Sequence, residues 1–181
     1  MSDDAAYRAT ALGEAYAGID QLPVTVLLDN VRSLYNAGAF FRTADAVRAA
    51  AIVLAGITPT PADPRIAKTA LGAERTVPWS KAPSAASAVD ALRARGVGIA
   101  AIETSLHAVD LFDWRPRFPV CVVFGHEVDG IQPALLDRCD VHVRIPTLGS
   151  KGSINVATAG GVVLFELLRM YRDLVRALPG A

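Results

Sequence analysis

Cysteine is almost missing from this chain: only Cys121 and Cys139 occur, and no Cys-x-x-Cys spacing exists. That removes a thiolate metal site and a disulfide scaffold, and a reduced intracellular protein is the simpler expectation. No apolar run approaches the roughly 20 residues needed to span a bilayer. The acidic, polar start MSDDAAYRAT does not resemble a signal peptide. The expectation is a cytoplasmic protein with no membrane partner. Net charge is missing too, since 18 Lys plus Arg balance 18 Asp plus Glu. Neutrality counts against a globally basic nucleic-acid binder but not against a local basic patch. Neither a Walker A sequence nor G-x-G-x-x-G occurs, which is the main objection to a nicotinamide-dependent α/β oxidoreductase. His107, His126 and His142 form no metal triad by spacing, and no metal is expected.

What is present is an ordinary globular composition. The 181 residues are 52% hydrophobic, enough for one domain with its own core. We read residues 1–181 as a single domain with a short N-terminal helical extension over about 1–22 and no separate RNA-binding domain. Within that extension, residues 4–17 are rich in helix formers. Apolar runs at 24–28, 52–57, 97–102, 120–124 and 141–145 read as strands, with a short one at 76–79. Helices are expected over 38–50, 65–71, 84–95, 133–137 and 153 to about 177. Strands alternating with helices predict an α/β fold, a mostly parallel sheet covered by helices on both faces.

In such sheets ligands bind beyond the carboxyl ends of the strands, and three segments there carry unusual residues. The first is NAGAFFR at 36–42. Asn36 sits where a helix begins, so its plain role is an N-cap, while Arg42 lies five residues into that helix and suits a bidentate grip on phosphate. The second is GHEVDG at 125–130, where two glycines bracket Glu127 and let the backbone turn sharply. The third is IPTLGSKGSINVATAGG at 145–161. Here Ser153 is expected to cap the long terminal helix and Asn155 to lie in its first turn. Gly160 and Gly161 each cost a helix roughly 1 kcal/mol relative to Ala, which suggests close approach of another backbone. Beyond them the helix is apolar on more than one stripe and must bury extra surface, in its own core or in a dimer.

In this order the segments resemble the signature motifs of the SpoU/TrmH family of SPOUT-class RNA 2′-O-ribose methyltransferases. N-x-G-x-x-x-R, FGHEVDG and IP-x-x-G-x-K-x-S-I-N-V-A-x-A carry the likeness, helped by GITPTP and KTALGAERTVPW, and it spans residues 24–168. The resemblance implies a deep trefoil knot near the C-terminus and a homodimer built around the terminal helix and knot region. It implies S-adenosylmethionine as methyl donor and RNA as partner, tRNA favoured over rRNA. The family's catalytic residue types fall on Asn36, Arg42, Glu127, Ser153 and Asn155. Its donor pocket falls on Thr104, Phe124, Gly125, Ile145, Leu148, Gly149, Ser153 and Ile154. Ile154 stands where Leu is commoner, and Ala157 where Ser is frequent.

A ribose hydroxyl is a poor nucleophile and needs activation. A guanidinium with a pKa above about 12 is an implausible free base. Arg42 is therefore expected to clamp the neighbouring phosphate, with Glu127 orienting Arg42 or its loop. Further candidate phosphate contacts are Arg32, Arg65, Lys68, Arg75, Lys151, Arg169 and Arg172. Trp79, Trp114 and the tyrosines are candidates for stacking on bases. Two other readings stay open: a non-catalytic RNA-binding module of the same fold, and a SPOUT enzyme that modifies a base.

Overall fold

The computed structural model describes Tyr16 and residues 18–177, so the helix expected over 4–17 lies, Tyr16 apart, outside the described residues. Seven strands form one sheet: β1 Leu22–Asp29, β2 Ala49–Ala55, β3 Trp79–Ala82, β4 Gly98–Ile102, β5 Val109–Asp110, β6 Val120–Phe124 and β7 Val141–Arg144. Their order is β3-β2-β1-β6-β4-β7-β5, and every strand pairing is parallel. β6 thus enters between β1 and β4, and β7 between β4 and β5. Such interleaving is compatible with the C-terminal knot that the resemblance implies. β5, only two residues long, is too short to leave a periodic signal in the sequence.

Alternation along the central strands divides the interior into two layers. Leu22, Val24, Val26 and Leu28 of β1 and Val120, Val122 and Phe124 of β6 face α1 (Leu34–Ala46), α2 (Ala67–Ala70) and α5 (Val156–Arg176). Leu27, Cys121 and Val123 point the other way, onto α3 (Ala85–Arg93) and α4 (Pro133–Leu136). With both faces covered, β6 is buried at all five positions, which is why it reads as an unbroken apolar run. The α/β class with a doubly covered parallel sheet is as expected.

Two helix starts differ from expectation. α1 begins at Leu34, because Ser33 adopts extended geometry and its Oγ accepts from the Asn36 N–H at 3.3 Å. Asn36 is therefore inside the first turn rather than the cap, and Arg42 is the ninth helical residue, outside both terminal turns. α5 begins at Val156, two residues later than a Ser153 cap requires. Asn155 is the cap, its Oδ1 accepting from Ala157 N at 2.9 Å and Thr158 N at 3.1 Å. Elsewhere the shifts are of edges. β2 opens at Ala49 and takes the residues expected to end α1, and β3 spans Trp79–Ala82 rather than 76–79.

Gly160 has a clear packing reason. A Cβ there would run into the ring of Phe40, which is fully buried and packs against Phe124 with ring centroids 4.9 Å apart. The close neighbour is thus an aromatic side chain of α1, not a second backbone. A Cβ on Gly161 would meet nothing within 4 Å, so that residue is not explained by packing within the chain.

Candidate active site

A cleft of about 570 Å³ opens at the carboxyl ends of β4, β6 and β7. That size lies within the range of small-molecule sites. Its walls are the three loops that follow these strands. From the β4 loop come Glu103, Thr104 and Ser105. The β6 loop supplies Gly125 to Gly130, and the β7 loop supplies Ile145, Thr147 and 152–155.

The β6 loop is closed by a pair of backbone bonds, His126 N to Gly130 O at 3.1 Å and Gly130 N to His126 O at 2.9 Å. Any side chain on Gly125 would strike the Gly130 and Ile131 backbone, so only glycine permits this closure. His126 Nδ1 accepts from the N–H groups of Val128 and Asp129 at 3.3 and 3.2 Å and lies 3.0 Å from Asp129 Oδ2. Across the cleft, Glu103 accepts from Ile131 N at 3.0 Å and Thr104 N at 2.9 Å, tying the β4 loop to the β6 loop.

Glu127 holds the start of α1. Its Oε2 accepts from Arg32 N at 3.0 Å, and its Oε1 accepts from Ser33 N and Asn36 Nδ2, both at 2.9 Å. Burial pushes the carboxyl upward, but the donors from Ser33, Asn36 and Arg32 outweigh it and hold the group below its usual value. It is an anion at neutral pH and accepts only. Asn36 Oδ1 in turn accepts from Asn155 Nδ2 at 3.2 Å. Each amide's orientation is thereby decided: Glu127 fixes Asn36, and the α5 N–H groups fix Asn155. One hydrogen-bonded path runs from the β6 loop through the head of α1 to the head of α5.

The chain matches the profile described as the SpoU rRNA Methylase family over residues 23–165. The chain belongs to that family. Among relatives of this SpoU protein, it is 36% identical over 170 residues to a 23S rRNA (guanosine-2′-O-)-methyltransferase RlmB of Ralstonia nicotianae, covering 93% of this chain and 67% of the relative. The corresponding protein of Vibrio parahaemolyticus is 33% identical over 82% of this chain and 60% of its own length. The solved SpoU methyltransferase AviRb from Streptomyces viridochromogenes, in complex with AdoMet, superposes with a TM-score of 0.75 at 29% identity. That likeness covers 84% of this chain and 61% of AviRb. The chain thus spans about two thirds or less of the length of these longer relatives.

Of the residues singled out in the SpoU motifs, the fold brings Glu127, Asn36 and Asn155 into direct contact and sets Ser153 in the cleft wall. Phe124, Gly125, Thr104, Ile145 and Ile154 line the same cleft. Leu148 and Gly149 do not: they sit on the outer part of the β7 loop, with Leu148 fully exposed. Arg42 is exposed on α1, outside the cleft wall, and its side chain has no hydrogen bond or ion pair among the described residues. Glu127 is therefore not its orienting partner within this chain; the carboxylate is taken up by α1 backbone and Asn36.

Four of the expected phosphate contacts are engaged in ion pairs: Arg65 with Asp63, Arg75 with Glu74, Arg169 with Glu166 and Asp173, and Arg172 with Asp173. Arg32, Arg42, Lys68 and Lys151 are exposed and carry no ion pair among the described residues. Trp114 is buried in the core and cannot stack on a base, whereas Trp79 is 39% and Tyr35 75% exposed. Burial pushes the Cys139 thiol up to about 11 and the Cys121 thiol higher still, so neither serves as a nucleophile near neutral pH. Glu103 and Ser105 escaped the sequence reading, because a polar pair after a strand carries no pattern of its own.

Proposed function

We propose that this protein transfers a methyl group from S-adenosylmethionine to a ribose 2′-hydroxyl of RNA. The observation that carries the reading is the Glu127–Asn36–Asn155 path beside a cleft walled by three post-strand loops. The residues present fit the donor. Glu103, Glu127 and Asp129 face the cleft against the single guanidinium of Arg144, an acidic lining suited to a cationic sulfonium. When bound, the donor supplies an electrophilic methyl group. Ser153, Ile154 and Phe124 bound its place, with Thr104 and Gly125 on the opposite loops.

The protein's own contribution is alignment and electrostatics. Asn36 and Asn155, locked in orientation, position the ribose beside the cleft mouth. Arg42, which has no ion-pair partner among the described residues, grips the adjoining phosphate and lowers the pKa of the hydroxyl, whose proton leaves to phosphate or water. Arg32, Lys68 and Lys151 give this neutral chain a dispersed set of cations for the RNA backbone. Phe165, 53% exposed on α5, continues the uncovered stripe that begins at Gly161 and supports a homodimer through this helix.

The expected lean toward tRNA is not supported by the relatives above, whose names specify 23S rRNA. Ribosomal RNA is the substrate we propose, in a cytoplasmic setting. Calorimetry with S-adenosylmethionine, followed by tritium methyl transfer to purified 23S rRNA and to bulk tRNA, tests the assignment. Donor binding with label entering rRNA is the expected result. Label entering tRNA alone would overturn the substrate, and absence of donor binding would overturn the activity.

A further inference from the structure

Ser105 stands in the cleft wall on the β4 loop, with its Oγ 2.8 Å from Nδ1 of His142 on β7. The other ring nitrogen, Nε2, lies 3.1 Å from the carbonyl oxygen of Leu136 at the end of α4. A carbonyl only accepts, so Nε2 carries the hydrogen. In the neutral ring Nδ1 is then the acceptor, and the single hydroxyl hydrogen of Ser105 points at it. What Ser105 offers the cleft is lone pairs alone. Its neighbour is arranged alike: the Thr104 hydroxyl donates to Glu103 Oε1 at 3.4 Å. This side of the cleft therefore presents acceptors (the two hydroxyl oxygens and the Glu103 carboxylate) and no free side-chain donor from these three residues.

We propose that Ser105 is a donor-binding residue that accepts a hydrogen bond from an N–H or O–H group on the nucleoside part of the methyl donor. His142, which does not line the cleft, is a positioning residue that fixes the polarity of that hydroxyl. The nucleoside carries an exocyclic amine and ribose hydroxyls, all hydrogen-bond donors, which an acceptor-only wall complements. This inference rests on the assignment of the cleft to S-adenosylmethionine.

The test is calorimetric titration of the whole chain with S-adenosylmethionine. In His142→Asn the amide oxygen takes the place of Nδ1 and still accepts from Ser105. In His142→Gln the amide reaches the Nε2 position, keeps the Leu136 bond and loses the acceptor. Ser105→Ala and His142→Gln are expected to weaken donor affinity by about 2- to 13-fold, the range for one neutral hydrogen bond. His142→Asn should stay within about twofold of wild type, and Ser105→Ala/His142→Gln should bind no worse than Ser105→Ala alone. Greater loss in His142→Asn than in His142→Gln would mean that the ring merely pins α4, and would overturn the proposal. Wild-type affinity in Ser105→Ala, whose small change leaves the fold intact, would overturn it independently. A wild-type protein that fails to bind the donor would instead defeat the cleft assignment.

Discussion

Asn155→Asp separates two tasks that one side chain performs. Asn155 Oδ1 caps α5 through Ala157 and Thr158, while Nδ2 donates to Asn36 Oδ1 at 3.2 Å. Aspartate keeps the capping oxygens and adds negative charge at a helix N-terminus, which is favourable by about 0.3–1 kcal/mol. It also sets an acceptor against the Asn36 oxygen. Asn36 cannot turn its amide round without giving up the 2.9 Å bond to Glu127. The link between the heads of α1 and α5 is then lost, at a cost to alignment of about 0.5–1.5 kcal/mol, or roughly 2- to 13-fold in rate. Asn155→Ala loses the link and the cap, and a cap is worth about 1 kcal/mol. For a chain of this size that lowers Tm by roughly 2–4 °C. Scanning calorimetry should therefore show Asn155→Ala melting lower than Asn155→Asp, in which the charge at the helix terminus offsets the lost link, while single-turnover methyl transfer falls in both. An equal Tm loss in Asn155→Asp refutes the capping geometry. Full turnover in Asn155→Asp refutes the role of the amide path.

Glu127→Ala should destabilise the protein only where the carboxylate is charged. Its folded pKa is lowered, so the contribution is complete above the ordinary glutamate value of about 4.3 and vanishes as pH falls through the lower folded value. The gap between wild type and variant in urea unfolding should be flat from neutral pH to about 5 and close in more acid solution; a gap unchanged at the acid end contradicts the network. Gly160→Ala forces a methyl into Phe40 and should cost about 1–3 kcal/mol by overpacking, whereas Gly161→Ala meets no atom of its own chain and, at a dilution where protomers are separate, should gain up to about 1 kcal/mol of helix propensity. Similar urea midpoints for the two variants would contradict the α1–α5 packing. Arg42→Ala should leave donor affinity unchanged and lower single-turnover methyl transfer by on the order of 10²-fold; lost donor binding with intact turnover would remove the phosphate clamp from the mechanism.

The sheet was legible where burial is complete. The run at 120–124 is a strand at the same residues, because a strand covered on both faces carries no polar alternation to blur it. Cap positions were less legible for a definite reason. Ser33 and Asn36, and again Ser153 and Asn155, are rival cap residues a few positions apart, and intrinsic preference hardly separates serine from asparagine. Tertiary bonds decide between them: Asn36 is drawn to Glu127, 91 residues away, and Asn155 to Asn36, 119 residues away. No local pattern encodes such pairings. The motif residues in 36–42, 124–130 and 145–159 pointed to the right end of the sheet, yet the β4 loop with Glu103 and Ser105 carries no comparable signature. Arg42 shows the limit in the other direction, since the motif names it while the fold of one chain leaves it exposed on α1.

The central claim is methylation of a ribose oxygen in RNA. Incubation with tritiated S-adenosylmethionine and 23S rRNA, followed by alkaline hydrolysis, tests it directly, because a 2′-O-methyl group blocks cleavage of the neighbouring phosphodiester. Label recovered in alkali-resistant dinucleotides is the predicted result. Label recovered only in mononucleotides, or no incorporation by a protein that binds the donor, would contradict it.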